Sequence, residues 1–251
     1  MVNGASSRKT IFASLWISGI LLLLLCLPLS SCGITLFSVN CVGTNVSCNT
    51  PTPTPDRPAL LATAQAIMKG TPLLRDPLSQ PDSNKWGVHS LAQKSCTFHD
   101  GAYFLTNSQT DGDAFGCDSM KQSYTNAAIQ VDITLFSGDS AGIIFRVDST
   151  FSEMYTFEIT KYGEADIRLF GPNGSTTILA PARTNPAIYG PGKKNTLLAI
   201  IKGNDLQIFV NGAFISEARD NTLTTGFLGM DVSAYSENAK ASFSNLAVYP
   251  V

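Results

Sequence analysis

Histidine is almost missing from this chain, which has two in 251 residues, His89 and His99. They lack the spacing of a metal pair and none of the six cysteines forms a Cys-x-x-Cys, so no zinc site is expected. Charge is scarce as well: Asp, Glu, Lys and Arg make up 14% of the residues, 17 basic against 19 acidic. Without a basic excess there is no electrostatic footprint for nucleic acid, and no nucleic-acid partner is expected. Paired acids on strand-like runs, the pattern that sugar-bond hydrolysis needs, are few.

The clearest positive signal is N-terminal. Arg8 and Lys9 precede an uncharged, leucine-dense run over residues 11–28, a positive n-region followed by an apolar h-region. The run ends at Leu29-Ser30-Ser31-Cys32, which resembles the bacterial lipobox. Residues 1–31 are therefore read as a lipoprotein signal peptide, and that resemblance implies Cys32 as the lipidation site. The alternative is an uncleaved anchor, since the run nearly reaches the roughly 20 residues of a spanning helix. Either way the remainder is expected outside the cytoplasmic face, tethered to the cell membrane. Removing residues 1–31 leaves 220 residues with 15 basic against 19 acidic, a net charge of −4. That length suits one domain and a linker.

Cys26 lies in the h-region, so Cys41, Cys48, Cys96 and Cys117 remain for disulfides. Three pairings are possible, and the linker between the two sets favours Cys41 with Cys48 and Cys96 with Cys117. Residues 32–58 form the lipid-anchored cysteine loop and linker, in which Pro51-Thr52-Pro53-Thr54-Pro55 prefers extended polyproline geometry and acts as a spacer. Residues 59–71 read as one short helix, rich in alanine and leucine and stopped at Gly70, with an apolar face expected to cover a sheet edge.

From residue 72 to residue 251 the pattern is all-β. Short runs of Val, Ile, Phe, Tyr and Thr recur between Gly, Asn and Asp turn signals. Strands are predicted over 102–107, 127–136, 141–148, 154–160, 165–170, 195–202, 205–210, 226–232 and 239–248. Turns fall at Gly203-Asn204, Asn211-Gly212 and Pro172-Asn173-Gly174. Ile129, Val131, Ile133 and Leu135 share one face of their strand while Gln130, Asp132 and Thr134 share the other. Ile143 and Phe145 are placed in the core, with Ile144 and Arg146 opposite. The sum is an antiparallel two-sheet sandwich.

Several spaced motifs resemble the concanavalin A-like, laminin-G-like jelly-roll domains of bacterial surface lipoproteins and the related 3-keto-disaccharide hydrolase-type domain. They are Asp76-Pro77-Leu78 with Trp86, Phe98-x-x-Gly101-x-Tyr103, Gly138-Asp139-Ser140-Ala141-Gly142-Ile143-Ile144-Phe145-Arg146, Tyr155-x-Phe157-x-Ile159, Asn195-x-Leu197, Val210-Asn211-Gly212 and Phe243-x-Asn245-Leu246. The resemblance implies a jelly roll over about residues 72–251. Such domains bind glycans, bind proteins or hydrolyse sugars, so it leaves function open.

Motifs for catalysis fail on their context. Gly138-Asp139-Ser140-Ala141-Gly142 matches G-x-S-x-G, but a nucleophile elbow needs a helix after the serine and a strand follows here. Ser140 is read as part of a tight turn. Glu164-Ala165-Asp166-Ile167-Arg168 resembles the Glu-x-Asp-x-Glu of β-glucanases with arginine in place of the last acid, and Glu164 and Asp166 are read as solvated. No catalytic residue is assigned.

A binding face is better supported, with Arg146, Glu158 and Arg168 on the polar side of the central sheet and Tyr155, Tyr235 and Trp86 as aromatic candidates. The competing structural roles are an Arg146–Glu158 ion pair and an edge-sealing Trp86. No cofactor is expected; Asp111-Gly112-Asp113 offers oxygens for calcium without a recognisable loop signature. The reading is a membrane-anchored, non-catalytic module for carbohydrate or a cell-envelope partner. The alternatives are a sugar-active hydrolase, marked by a groove with converging acids, and a structural spacer.

Overall fold

The computed structural model describes residues 56–251 apart from 83, 85, 111 and 112. The expected signal peptide, Cys32, the Cys41–Cys48 pair, Pro51 to Pro55, Asp111 and Gly112 lie outside the described residues. Among those described, no helix is long and apolar enough to cross a membrane.

One helix precedes the strands: α1 is Arg57–Met68, started by the Asp56 side chain, which accepts from the Ala59 amide. The strands follow as β1 (Leu74–Asp76), β2 (His89–Ser90), β3 (Lys94–His99), β4 (Ala102–Asn107), β5 (Asp113–Tyr124), β6 (Ala127–Ser137) and β7 (Ser140–Val147). Next come β8 (Met154–Thr160), β9 (Glu164–Phe170), β10 (Thr176–Thr184) and β11 (Lys194–Lys202). The last four are β12 (Asp205–Val210), β13 (Ala213–Arg219), β14 (Gly226–Ala234) and β15 (Ala239–Tyr249).

They build two antiparallel sheets. One has nine strands in the order β13-β12-β11-β6-β15-β4-β3-β2, with β1 also paired to β15; the other has six, in the order β10-β9-β8-β7-β14-β5. This is the expected jelly-roll sandwich. Alternate residues of each strand meet between the sheets: Ile129, Val131 and Ile133 from β6, Ile143 and Phe145 from β7, Phe157 and Ile159 from β8, and Met230 and Val232 from β14 are all buried in one cluster. The period-2 pattern makes this the only register that hides these side chains.

The predicted turns connect neighbouring strands. Asn211 and Gly212 have φ of +50° and +80° between the paired residues Val210 and Ala213, the double positive φ that a two-residue hairpin needs. Strands absent from the sequence reading, β3, β5, β10 and β13 among them, sit at or near sheet edges. There the period-2 signal is weak because neither face is well covered, and β10, exposed at most of its positions, also carries Pro181 and two register shifts.

Cys96 of β3 and Cys117 of β5 are disulfide-bonded, joining the two sheets near one edge. Helix α1 differs from expectation in its placement. Ala64, with Leu60, Leu61, Ile67 and Met68, packs on Leu198, Ile200, Phe209, Ala247 and Tyr249. These lie on the outer face of the nine-stranded sheet, so the helix covers a sheet face rather than an edge. Outward-pointing apolar residues on β11, β12 and β15 require that cover.

Candidate functional site

The outward face of the six-stranded sheet collects acids in a row. Glu158 of β8 pairs across the ladder with Asp166 of β9 and with Gly142 of β7; Gly142 in turn pairs with Asp231 of β14, and Asp231 with Gly116 of β5. All three acids point away from the core because their strand neighbours point into it. They are nevertheless hidden from solvent, with 2%, 2% and 3% exposure for Glu158, Asp166 and Asp231. Asp166 is therefore not the solvated turn residue that the sequence suggests. The glycines explain the depth: Gly116, Gly142 and Gly229 put no side chains on the sheet, and Gly142 approaches β8 so closely that a Cβ would lie 2.0 Å from the Phe157 carbonyl oxygen.

Each acid has different partners. Glu158 Oε1 accepts from Ser140 Oγ at 2.6 Å and Ser233 Oγ at 2.8 Å. Arg168 donates twice to Asp166 Oδ2, from Nε at 2.9 Å and Nη2 at 2.5 Å. Asp231 has an Oδ1 with no hydrogen-bond partner, as do Asp166 Oδ1 and Thr156 Oγ1. Burial, then the neighbouring charges of Glu158 and Asp166, push the Asp231 carboxyl well above the ordinary carboxylate range. Asp166 is pushed up for the same reasons, with Arg168 working against the shift.

Beside this row lies a groove of about 580 Å³ lined by Ile144, Phe151, Met154, Thr156, Phe170, Thr176, Tyr235 and, of the three acids, Asp231. Tyr235 follows β14 directly and is 43% exposed at the rim. Its hydroxyl is held above its usual value by burial and by Glu158.

Three expected ligand residues are elsewhere. Arg146 does not share a face with Glu158: it is the extra residue of a bulge between Phe145↔Leu228 and Val147↔Phe227, with φ of +50°. The bulge turns its side chain inward, where Nη1 donates to Leu223 O and Nη2 to Thr125 O and Gly203 O, at 2.7, 2.9 and 2.7 Å. Strict alternation cannot foresee an inserted residue. Tyr155 is core-facing and fully buried, its hydroxyl donating to Asp220. Trp86 is 6% exposed against Tyr103 and donates to Asp76 Oδ2, so it seals an edge.

Glu158, Arg168 and Tyr235 are brought together as expected; Asp166, Asp231, Ser140, Ser233 and Thr156 join them. Ser140 has no histidine near it, since His89 and His99 belong to the other sheet, and acts as a hydrogen-bond donor. Asp231 was detectable only as an acid in Gly226 to Val232, where alternation sets it opposite Met230 and Val232.

No curated protein matches the chain. Among solved structures, the carbohydrate-binding module CBM66 from Bacillus subtilis is similar at 20% identity and a TM-score of 0.55, over 65% of this chain and 94% of the module. A Bacillus subtilis protein with a galectin-like fold is similar at 16% identity and 0.56, over 72% and 96% of the two chains. The Bacillus licheniformis β-glucanase follows at 11% and 0.50, over 71% and 97%. These likenesses show the fold. Residues 79–248, well over half of the sequence, match the family described as the 3-keto-alpha-glucoside-1,2-lyase-like domain, and the chain belongs to that family.

Proposed function

We propose that the groove on the six-stranded sheet binds carbohydrate. The carrying observation is that Asp231, at the end of the row Asp166–Glu158–Asp231, lines the groove with Thr156 and the exposed Tyr235, its Oδ1 and the Thr156 Oγ1 being buried without partners. A buried polar atom without a hydrogen bond costs stability unless a ligand or water satisfies it. Sugar hydroxyls both donate and accept, so a polyol ring suits a floor of carboxyls, hydroxyls and one guanidinium. Tyr235 offers a flat face to the ring's C–H bonds. The titrating experiment uses the full chain in a non-glycosidic detergent against a glycan array. Binding that is lost in Glu158→Gln combined with Asp231→Asn supports the reading, and no binding to any glycan overturns it.

A second reading is favoured by one observation, the buried Asp231 carboxyl, raised well above the ordinary range and facing Glu158 across Gly142. Two carboxyls on one side of a sugar can divide the roles of proton donor and acceptor. A 1,2-elimination on a 3-keto glucoside removes the C2 proton, which the ketone acidifies; the C–H electrons form the C1–C2 double bond as the C1–O bond breaks, and the leaving oxygen takes a proton. Asp231 is the donor in this scheme and Glu158 the acceptor. Release of nitrophenol from p-nitrophenyl 3-keto-α-glucoside, reduced about 100-fold or more in Glu158→Gln, which lacks the proton acceptor, is the expected result. Binding of that compound without release would leave a binding module.

The anchoring belongs with these proposals. Lipid on Cys32 and the Thr-Pro segment would hold the domain at the extracytoplasmic face of the membrane, which metabolic labelling with a fatty-acid analogue in the wild type and Cys32→Ala would test.

A further inference from the structure

The groove changes chemistry along its length. Its lining residues follow the strand register: Tyr235 at one end, then Asp231, with Glu158 and Asp166 level with it across the ladder, then Thr156 and Ile144. The other end is apolar, formed by the paired Met154 and Phe170 and by Phe151. From Glu158 to Met154 is four residues of one strand, about 13 Å, which is longer than a single sugar ring.

Phe151 is held at that end against its own backbone preference. Its φ is +61°, a left-handed conformation that is rare for an aromatic residue. The Asp148 side chain imposes it. Oδ1 accepts from the amides of Ser152 and Glu153 at 2.6 and 2.8 Å, and Oδ2 from the Thr150 amide at 3.0 Å and the Thr150 hydroxyl. The Phe151 amide donates to the Asp148 carbonyl at 3.2 Å. The loop closes on itself and presents the ring instead of burying it: Phe151 remains 36% exposed beside Gly116, where it lines the groove. These four hydrogen bonds to the Asp148 carboxylate and one to its carbonyl thus hold a strained backbone that sets a partly exposed ring at the groove.

We infer that the ligand is a glycoside with an apolar aglycone, whose sugar lies at the Asp231 and Tyr235 end of the groove and whose aglycone lies against Phe151, Met154 and Phe170, with Phe151 the residue that sets specificity. This rests on the carbohydrate reading of the groove. It goes beyond it by naming an amphiphilic ligand, an aryl or alkyl glycoside rather than a polysaccharide.

Calorimetric titration of the full chain, in a non-glycosidic detergent, with matched methyl and phenyl glycosides of the common hexoses and pentoses tests both levels. The phenyl member is expected to bind roughly tenfold or more tightly than its methyl partner. Phe151→Gly should erase that preference while the melting temperature is maintained, because glycine accepts a positive φ without strain. Equal affinities within each pair would overturn the aglycone inference and leave the sugar groove standing. No binding by any pair would overturn both. A fall in melting temperature in Phe151→Gly, with the phenyl preference intact, would make the ring a packing element and overturn its role.

Discussion

Asp231 is a carboxyl whose ionisation the fold disfavours. Its value is raised by burial and by Glu158 and Asp166, so its contribution to stability is fully present below the ordinary carboxylate value of 3.8 and is lost as pH rises through the folded value. Asp139 behaves oppositely. Hydrogen bonds from Ser236 and the Lys161 ammonium overcome burial and hold it at about 2, so its contribution is present above 3.8 and lost as pH falls through about 2. Melting curves should therefore show Asp231→Asn gaining on the wild type as pH is raised from about 4 to about 8, because the amide has no charge to bury. A constant difference across that range would mean that Asp231 ionises freely. Arg146 is the other decisive residue. Its guanidinium satisfies three carbonyl oxygens at the end of the sandwich, so Arg146→Ala should cost about 3 kcal/mol or more in denaturant unfolding and leave the groove chemistry unchanged in whatever folds. A loss below about 1 kcal/mol would show that water replaces it readily.

Two elements on opposite faces of the sandwich depend on close packing, β7 at the site and α1 on the far sheet. β7 contributes the gap: with glycine at 142, Glu158 and Asp231 face each other across an empty position on the strand between them. Alanine there would place Cβ 2.7 Å from the Glu158 Cα and closer still to the Phe157 carbonyl, so Gly142→Ala must separate β7 from β8 or fail to fold. Helix α1 covers the far sheet through Phe209, which also meets Phe214 edge-on at 5.5 Å between centroids. Phe209→Ala should cost about 3–5 kcal/mol and undock the helix, read as faster amide exchange over Ala64–Met68 with slow exchange retained in β6 and β15. Uniform acceleration would instead mean that helix and sandwich open together.

The described domain is a two-layer sandwich whose sheets are held by their shared core and by the Cys96–Cys117 bond. The cross-link closes a chain separation of 21 residues, for which loop-closure entropy gives about 3 kcal/mol. Reduction should lower the melting temperature by about 6–12 °C, as that energy implies for a domain of this size. The alternation of Ile129, Val131, Ile133 and Leu135 and the Asn211-Gly212 turn were enough to specify layers and hairpins, because burial of one strand face and positive φ at a turn are local demands. The Cys96–Cys117 pair was legible for a similar reason, the linker having set those cysteines apart from the others. Long-range consequences were not. Arg146 left the polar face through a bulge that depends on its partner strand, and α1 found a sheet face whose apolar character is spread over β11, β12 and β15. Asp166 looked solvated beside a turn, yet becomes buried because Glu158 and Arg168 lie next to it. The acid row joins residues separated by as many as 73 positions, from Glu158 to Asp231, through ladder pairing across a glycine. Sequence by itself determined the strands that must hide one face; only the tertiary structure decided which polar residues meet, because pairing order and bulges are settled by the competition of all strands for the same core.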